Sequence, residues 1–324
     1  MLFTDLLKAI GVLPAAQRAE AERDLRAARV WRVLLWSPAK RGKSTLLRGT
    51  AKHLPAPLRL VSIDSDQTDS ENVQRVSLPG FANAASFQAF CLETERALNA
   101  GAADIASGKI AGLGIDTLTT IANALKSLTP LATAYNQDQM AMVREKGKQA
   151  AVLSSLAAKV MGLHAEAIKS PVDGPILLCV TEHAKEIVDN FVFKGWQPKI
   201  QANAGEEILS LHDAVMALSL EPPHNLEPLR FGLVWSGRAD VGVRLSEDER
   251  PVFAKTLEKR ISTGADPERL GVALAQLWDM RKARWVSRWL APAVEAPAAT
   301  PAPEVLRLAL GKLEATGAAK PAAR

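Results

Sequence analysis

The stretch from Val30 to His53, VWRVLLWSPAKRGKSTLLRGTAKH, constrains the fold more than any other part of the chain. An apolar run through Trp36 reads as a buried strand, Ser37 to Gly42 as a tight turn, and the residues from Gly42 as a helix that stops ahead of Pro55. A strand, loop and helix in this order form a cradle for phosphate. The loop presents backbone N–H groups, the helix N-terminus adds partial positive charge, and lysine adds a full one. The spacing places Lys43 on the terminal phosphates of a nucleotide and the Ser44 hydroxyl on Mg²⁺.

The loop fits the pattern GxxxxGK[ST] except at its first glycine, where Ser37 stands. Serine keeps the side chain small but gives up glycine's freedom at positive φ. The expected nucleotide-binding residues are Ser37, Pro38, Ala39, Lys40, Arg41, Gly42, Lys43, Ser44 and Thr45. So short a motif gains weight from the acids that follow it. Leu58 to Ile63 reads as a second core strand running into Asp64-Ser65-Asp66-Gln67-Thr68-Asp69. Acids at the carboxyl end of a core strand face the crevice where α/β sheets bind ligands. Asp64 and Asp69 suit the capping of the next turn, whereas Asp66 is placed to orient and deprotonate the water that attacks a γ-phosphate. Ile110 to Ile115 forms a short strand, weakened by Gly112 and Gly114, that delivers Asp116 to Mg²⁺ directly or through water. Pro175 to Val180 is the most apolar strand and ends in Thr181-Glu182-His183. Either Glu182 or His183 is a candidate sensor of the γ-phosphate, with plain local hydrogen bonding as the alternative.

Around this centre, the 324 residues suffice for one large α/β domain with appendages or for two small domains. The expected division is an N-terminal helical segment at 1–29, a core at 30–262, a C-terminal helix at 263–290 and a Pro/Ala-rich linker and tail at 291–324. Residues 2–29 read as two helices broken near Gly11 to Pro14, without the pattern of a signal peptide. No apolar run suggests a bilayer crossing. Cys91 and Cys179 lack metal-ligand spacing and read as buried free thiols of a reducing, cytoplasmic compartment. Phe87, Phe90, Leu92 and Leu98 are expected core contacts of a helix over 86–99, and Val152, Leu153, Leu156, Val160 and Leu163 those of a long helix over 137–169. In that helix Arg144, Lys146 and Lys148 read as a solvated face. Glu186 to Ile200 alternates like a hairpin or mobile loop around Lys194-Gly195, with Lys194, Trp196 and Lys199 as possible nucleic-acid contacts. Strands over 214–220 and 229–235 follow, then a helix from Pro267 to Leu290. Trp278, Trp285 and Trp289 share one face of that helix beside Arg281, Arg284 and Arg288. Such a stripe is ordinary packing or, in the sharper reading, a stacking platform for single strands. A net charge of +5 permits a polyanionic partner without requiring one.

Taken together, the GKST loop, the IDSD strand, the GLGIDTLT strand and the LLCVTEH strand resemble the RecA-like P-loop ATPases over residues 30–262. Within that superfamily the chain is similar to phage-encoded AAA-type nucleotide-binding proteins of single-strand recombination and annealing. The resemblance implies an α/β fold with a mostly parallel central sheet flanked by helices. It also implies ATP and Mg²⁺ as cofactors, single-stranded DNA as partner, a homo-oligomer without membrane contact, and the host cytoplasm as location if the chain is phage-encoded. In such proteins the catalytic carboxylate is usually glutamate, and the matching Asp66 is one methylene shorter. Sites completed across subunits would draw on Arg238, Lys259 or Arg260, and the tail could hold a protein partner. The ParA and MinD-like partition ATPases share the GKST loop and both acid strands, but their signature lysine would fall on Pro38, with Lys40 too close to replace it. A scaffold that binds nucleotide without hydrolysing it is a third reading.

Overall fold

The computed structural model describes residues 2–37, 42–63, 71–81, 83–128, 139–189, 192–198, 211–221, 230–235, 245–252 and 267–290. Two compact units emerge, a larger one from Val30–Leu277 and a smaller one from Met1–Arg29 with Trp278–Arg324.

The larger unit is built on β1 (Val30–Ser37), which pairs in parallel with β5 (Ile176–Asp189) on one side and β7 (Ala214–Glu221) on the other. A strand covered on both faces must be apolar nearly throughout, and VWRVLLWS is buried at every position but Arg32. Arg32 is held instead by a two-pronged ion pair to Asp213, with Nε and Nη2 at 3.1 and 2.7 Å from the carboxylate oxygens. Outward from β5 lie β4 (Gly112–Ile115), β2 (Leu58–Ser62) and β3 (Val73–Ser77), all parallel, while β8 (Arg230–Trp235) closes the far side antiparallel to β7. Six parallel strands in the order β3-β2-β4-β5-β1-β7 are therefore joined by crossovers. The crossovers carry α3 (Lys43–Ala51), α4 (Ala84–Ala106), α5 (Leu118–Leu128), α6 (Gln139–Gly162) and α7 (His164–Lys169). One core joins Val30, Leu34, Val61, Leu113, Ile115, Leu178 and Val180 of the strands to Phe90 and Leu98 of α4, Leu118 and Ile121 of α5, and Leu156 and Val160 of α6. This is the mostly parallel, helix-flanked α/β sheet that the sequence led us to expect.

Some local expectations need correction. The strand β3 was not foreseen, because VQRVS is short and only Val73 is fully buried, as befits a sheet edge. Leu92 faces solvent on α4, Phe87 is only partly covered, and Cys91 is exposed rather than buried. Lys194-Gly195 is not the tip of a hairpin. The strand β6 (Val192–Pro198) pairs antiparallel with the far half of β5, Asp189 opposite Val192, and the register shifts where Ile187 meets Gly195 and Val188 meets Phe193. Lys194 is thus the extra residue of a bulge. The window Ala151–Lys169 is long and apolar enough, by composition, to cross a membrane. Here it is broken at Leu163, and Leu153, Leu156, Ala157, Val160, Met161 and Ala167 pack into the core.

Gly112 and Gly114, which weaken β4 by propensity, are explained by close approach. A Cβ on Gly114 would lie 2.9 Å from the carbonyl oxygen of Cys179 and against its sulfur, and one on Gly112 would stand 2.5 Å from the carbonyl oxygen of Leu177. On the other side of β4, Arg59 of β2 reaches Asp104 of α4 at 2.7 Å.

The smaller unit packs α1 (Phe3–Ala9), a turn of 3₁₀ helix and α2 (Ala15–Ala27) with the C-terminal part of α8 (Arg269–Trp289) around Leu6, Leu13, Leu25, Trp278 and Trp285. The Trp285 indole N–H donates to the Ala21 carbonyl at 2.8 Å, Arg281 to that of Ala28, and Arg288 to Asp24 and Glu20. Trp278 and Trp285 are core residues, so the stripe they form is packing and not a stacking platform.

Two outcomes follow for stability. Gly114→Ala should lower the unfolding free energy by about 2 kcal/mol in urea titration, because the added methyl overpacks a backbone contact. The Arg59 guanidinium, with help from Lys109, holds the Asp104 carboxyl below its usual range. Its contribution is therefore present above the ordinary carboxylate pKa and fades as pH falls through the lowered one. Asp104→Asn should cost roughly 1 kcal/mol at pH 7, and the urea midpoints of the two proteins should converge toward pH 3.

Candidate nucleotide site

Because β1, β2, β4 and β5 are parallel, their carboxyl ends share one edge of the sheet. That edge collects Ser37, Ser62, Asp116 and Thr181-Glu182-His183. Of the loop, Ser37 and Gly42 to Thr45 are described, whereas Pro38, Ala39, Lys40 and Arg41 lie outside the described residues, as does Asp66.

Ser37 is the last residue of β1, fully buried and in register with His183. Its backbone is extended, so glycine's left-handed freedom is not used at this position, and a serine is accommodated. The positive φ falls on Gly42, at 85°, where the chain turns into α3. A Cβ at that φ would be strained, which accounts for the second glycine of the motif. The first turn of α3 then places Lys43 and Ser44 back under β1 and β4.

Lys43 is buried, and its ammonium donates to the Oγ of Ser37 at 3.1 Å and to its carbonyl at 3.4 Å. Loss of hydration pushes the ammonium down to about 8, against the pull of the Asp116 and Glu182 carboxylates. The Ser44 hydroxyl donates to Asp116 Oδ2 at 2.8 Å, and the Thr181 hydroxyl donates to Asp116 Oδ1 at 2.6 Å. Asp116 is 1% exposed. Glu182 is also buried and accepts from the Thr119 hydroxyl at 2.7 Å, while the same Thr119 oxygen accepts the His183 backbone N–H at 2.8 Å. One threonine at the start of α5 thus links the strand that delivers Asp116 to the residues that end the sheet portion of β5. The His183 side chain is partly exposed.

The structure therefore brings together Ser37, Gly42, Lys43, Ser44, Asp116, Glu182 and the backbone of His183. Arg238, Lys259, Arg260 and Lys199 lie outside the described residues, and Lys194 and Trp196 are described only as backbone positions in β6. Three residues at the site were missed by sequence reasoning. Thr181 and Thr119 were passed over as neighbours of acids, although a hydroxyl beside a buried carboxylate is what satisfies it. Arg75, on the unforeseen β3, places its guanidinium 3.8 Å from Asp116 Oδ2 with a side chain only 5% exposed. A single arginine inside the short run Val73-Gln74-Arg75-Val76 was the available signal.

No family model matches the chain. No curated protein matches it either. Among solved structures it is similar to a KaiC-like protein of the hyperthermophilic archaeon Pyrococcus horikoshii OT3, with 15% identity over 74% of this chain and 87% of that one and a TM-score of 0.36.

A buried lysine with a pKa near 8 opposes folding below that pH, since the unfolded chain binds its proton more tightly. The penalty is on the order of 3 kcal/mol and is relieved as pH rises toward the ordinary lysine value. Lys43→Met should accordingly raise the unfolding midpoint of the nucleotide-free protein at pH 7, with a gain that shrinks by pH 10.

Proposed function

We propose that this chain binds ATP with Mg²⁺ at the Lys43 loop and hydrolyses it, acting as a RecA-like ATPase on single-stranded DNA. The observation that carries the reading is the 2.8 Å contact between Ser44 and Asp116 beside a buried lysine at the start of α3. A hydroxyl and a carboxylate brought together are hard oxygen donors of the kind Mg²⁺ selects, so the donor set fits that ion. When bound, the ion would neutralise charge on the β and γ phosphates.

The residues divide the remaining work. Lys43 exchanges its bonds to Ser37 for phosphate oxygens, which restores the partners its ammonium lost on burial. The α3 N-terminus adds its backbone N–H groups and partial positive charge toward the same phosphates. Thr181 fixes the carboxylate plane of Asp116 so that the oxygen shared with Ser44 faces the loop. Asp66 accepts the proton of the attacking water. Glu182, clamped by Thr119, senses the γ-phosphate through its proximity to Lys43 and passes the change along β5 to the β5–β6 hairpin.

The action on DNA and the assembly rest on the resemblance of the motifs and on the positive net charge. In this reading the hairpin meets the strand, Arg238, Lys259 or Arg260 enters the site of a neighbouring copy, and the tail from residue 291 takes a protein partner.

The test is ATP binding and phosphate release with and without single-stranded DNA. Lys43→Ala should abolish both, and Asp116→Ala should keep nucleotide binding but lose Mg²⁺-dependent turnover. Asp66→Asn should slow turnover by about 10²-fold or more. Normal binding and hydrolysis by Lys43→Ala would overturn the proposal. Turnover that DNA leaves unchanged would remove the DNA part alone.

A further inference from the structure

The helix that carries Lys43 and Ser44 is short, nine residues from Lys43 to Ala51, and its far end meets the turn that opens α8. A helix of that length has little stability of its own, so its place is set by what it packs on. Gly49 in α3 lies against the backbone of Pro267: a Cβ there would stand 2.1 Å from the Pro267 carbonyl oxygen and 2.3 Å from its carbon. Gly271 in α8 lies against His53, where a Cβ would stand 2.7 Å from the imidazole Cδ2. Glycine inside a helix is unfavourable beside alanine, and here two of them let the chain approach to backbone contact. Beside these contacts Glu268 meets α3 with both carboxylate oxygens. Oε1 accepts from Lys52 Nζ at 2.8 Å, and Oε2 lies 3.1 Å from His53 Nε2. The N–H groups of Lys52 and His53 donate to the Gly49 and Thr50 carbonyls, which ties both residues to α3, and the Glu268 carbonyl accepts the Val272 N–H of α8. All these residues belong to the larger unit.

We propose that Pro267 and Glu268 are positioning residues of the nucleotide site, seating the far end of α3 so that Lys43 and Ser44 stand where phosphate and metal need them. This inference rests on the reading of the Lys43 loop as an ATP site. From Lys43 to Gly49 the helix axis runs only about 9 Å, so a displacement at the joint reaches the loop almost undiminished. A reacting group moved by about 1 Å, even from a distance, can lose about 10²-fold in rate. The ion contacts of Glu268 are partly exposed and add little to stability. Their part is to set where α3 sits along the start of α8, while Gly49 sets how close it comes.

Binding of a fluorescent, non-hydrolysable ATP analogue with Mg²⁺ to the full chain provides the test, with thermal unfolding followed on the same samples. Alanine favours a helix, so without a role for the joint Gly49→Ala would bind the analogue as wild type does. The proposal expects a folded Gly49→Ala to bind it at least ten-fold more weakly. Glu268→Lys, which leaves the backbone contact alone, should weaken binding about three-fold with little change in unfolding temperature, and adding Lys52→Glu should restore it. That charge-reversed pair decides the matter if Gly49→Ala does not fold. Wild-type affinity in a folded Gly49→Ala, or in Glu268→Lys where Gly49→Ala does not fold, would overturn the proposal and leave the ATP site standing. A loss in Glu268→Lys that Lys52→Glu fails to recover would overturn the role of Glu268. Failure of wild type to bind the analogue would instead sink the ATP reading on which the inference rests.

Discussion

The carboxylate of Asp116 is where segments far apart in sequence meet. Ser44 reaches it from α3, Thr181 from β5 and Arg75 from β3, each by a polar contact made in a buried setting. Buried carboxylates are tolerated only when hydrogen-bonded or paired, so the packing that hides Asp116 also dictates what must surround it. The parallel sheet supplies those neighbours by register alone. Once β4 lies between β2 and β5, the residue following Ile115 falls beside Thr181. The close approach of β4 to β5, permitted by Gly112 and Gly114, is part of the same constraint.

Lys43 presents the opposite case, a cation whose burial is costly and whose local partners compensate only in part. Its contacts with Ser37 satisfy hydrogen bonding but supply no negative charge. On the proposed reading, an incoming polyanion would supply the negative charge that Lys43 lacks from Ser37. Thr119 extends the arrangement beyond the loop. Its hydroxyl ties Glu182 and the His183 backbone to α5, and β5 continues past the sheet to pair with β6.

Much of this was legible in the residues. The core strands announced themselves by unbroken apolar runs, and Lys43, Ser44 and Asp116 by their places after those runs. The sheet brings these three together. What escaped was whatever depended on tertiary neighbours. A strand at the sheet edge, β3, is half exposed and carries too few apolar residues to be seen, and with it went Arg75. Leu92 and Cys91 were assigned to the core by type, yet they lie on the outer face of α4. For the tryptophans of α8 the periodicity allowed packing or a stacking platform, and the packing of α1 and α2 decides for packing, with Trp278 and Trp285 buried and Trp289 partly so. Lys194-Gly195 has the composition of a turn, but pairing set by Asp189 and Val192 makes it a bulge.

The central claim is that the carboxyl edge of this sheet is a site for a metal-bound nucleoside triphosphate. Calorimetric titration of the intact wild-type chain with ATP, in Mg²⁺ and again in its absence, tests that most directly. The account predicts saturable binding at one site per chain that tightens markedly with Mg²⁺. Absence of saturable binding, or an affinity indifferent to the metal, would contradict it.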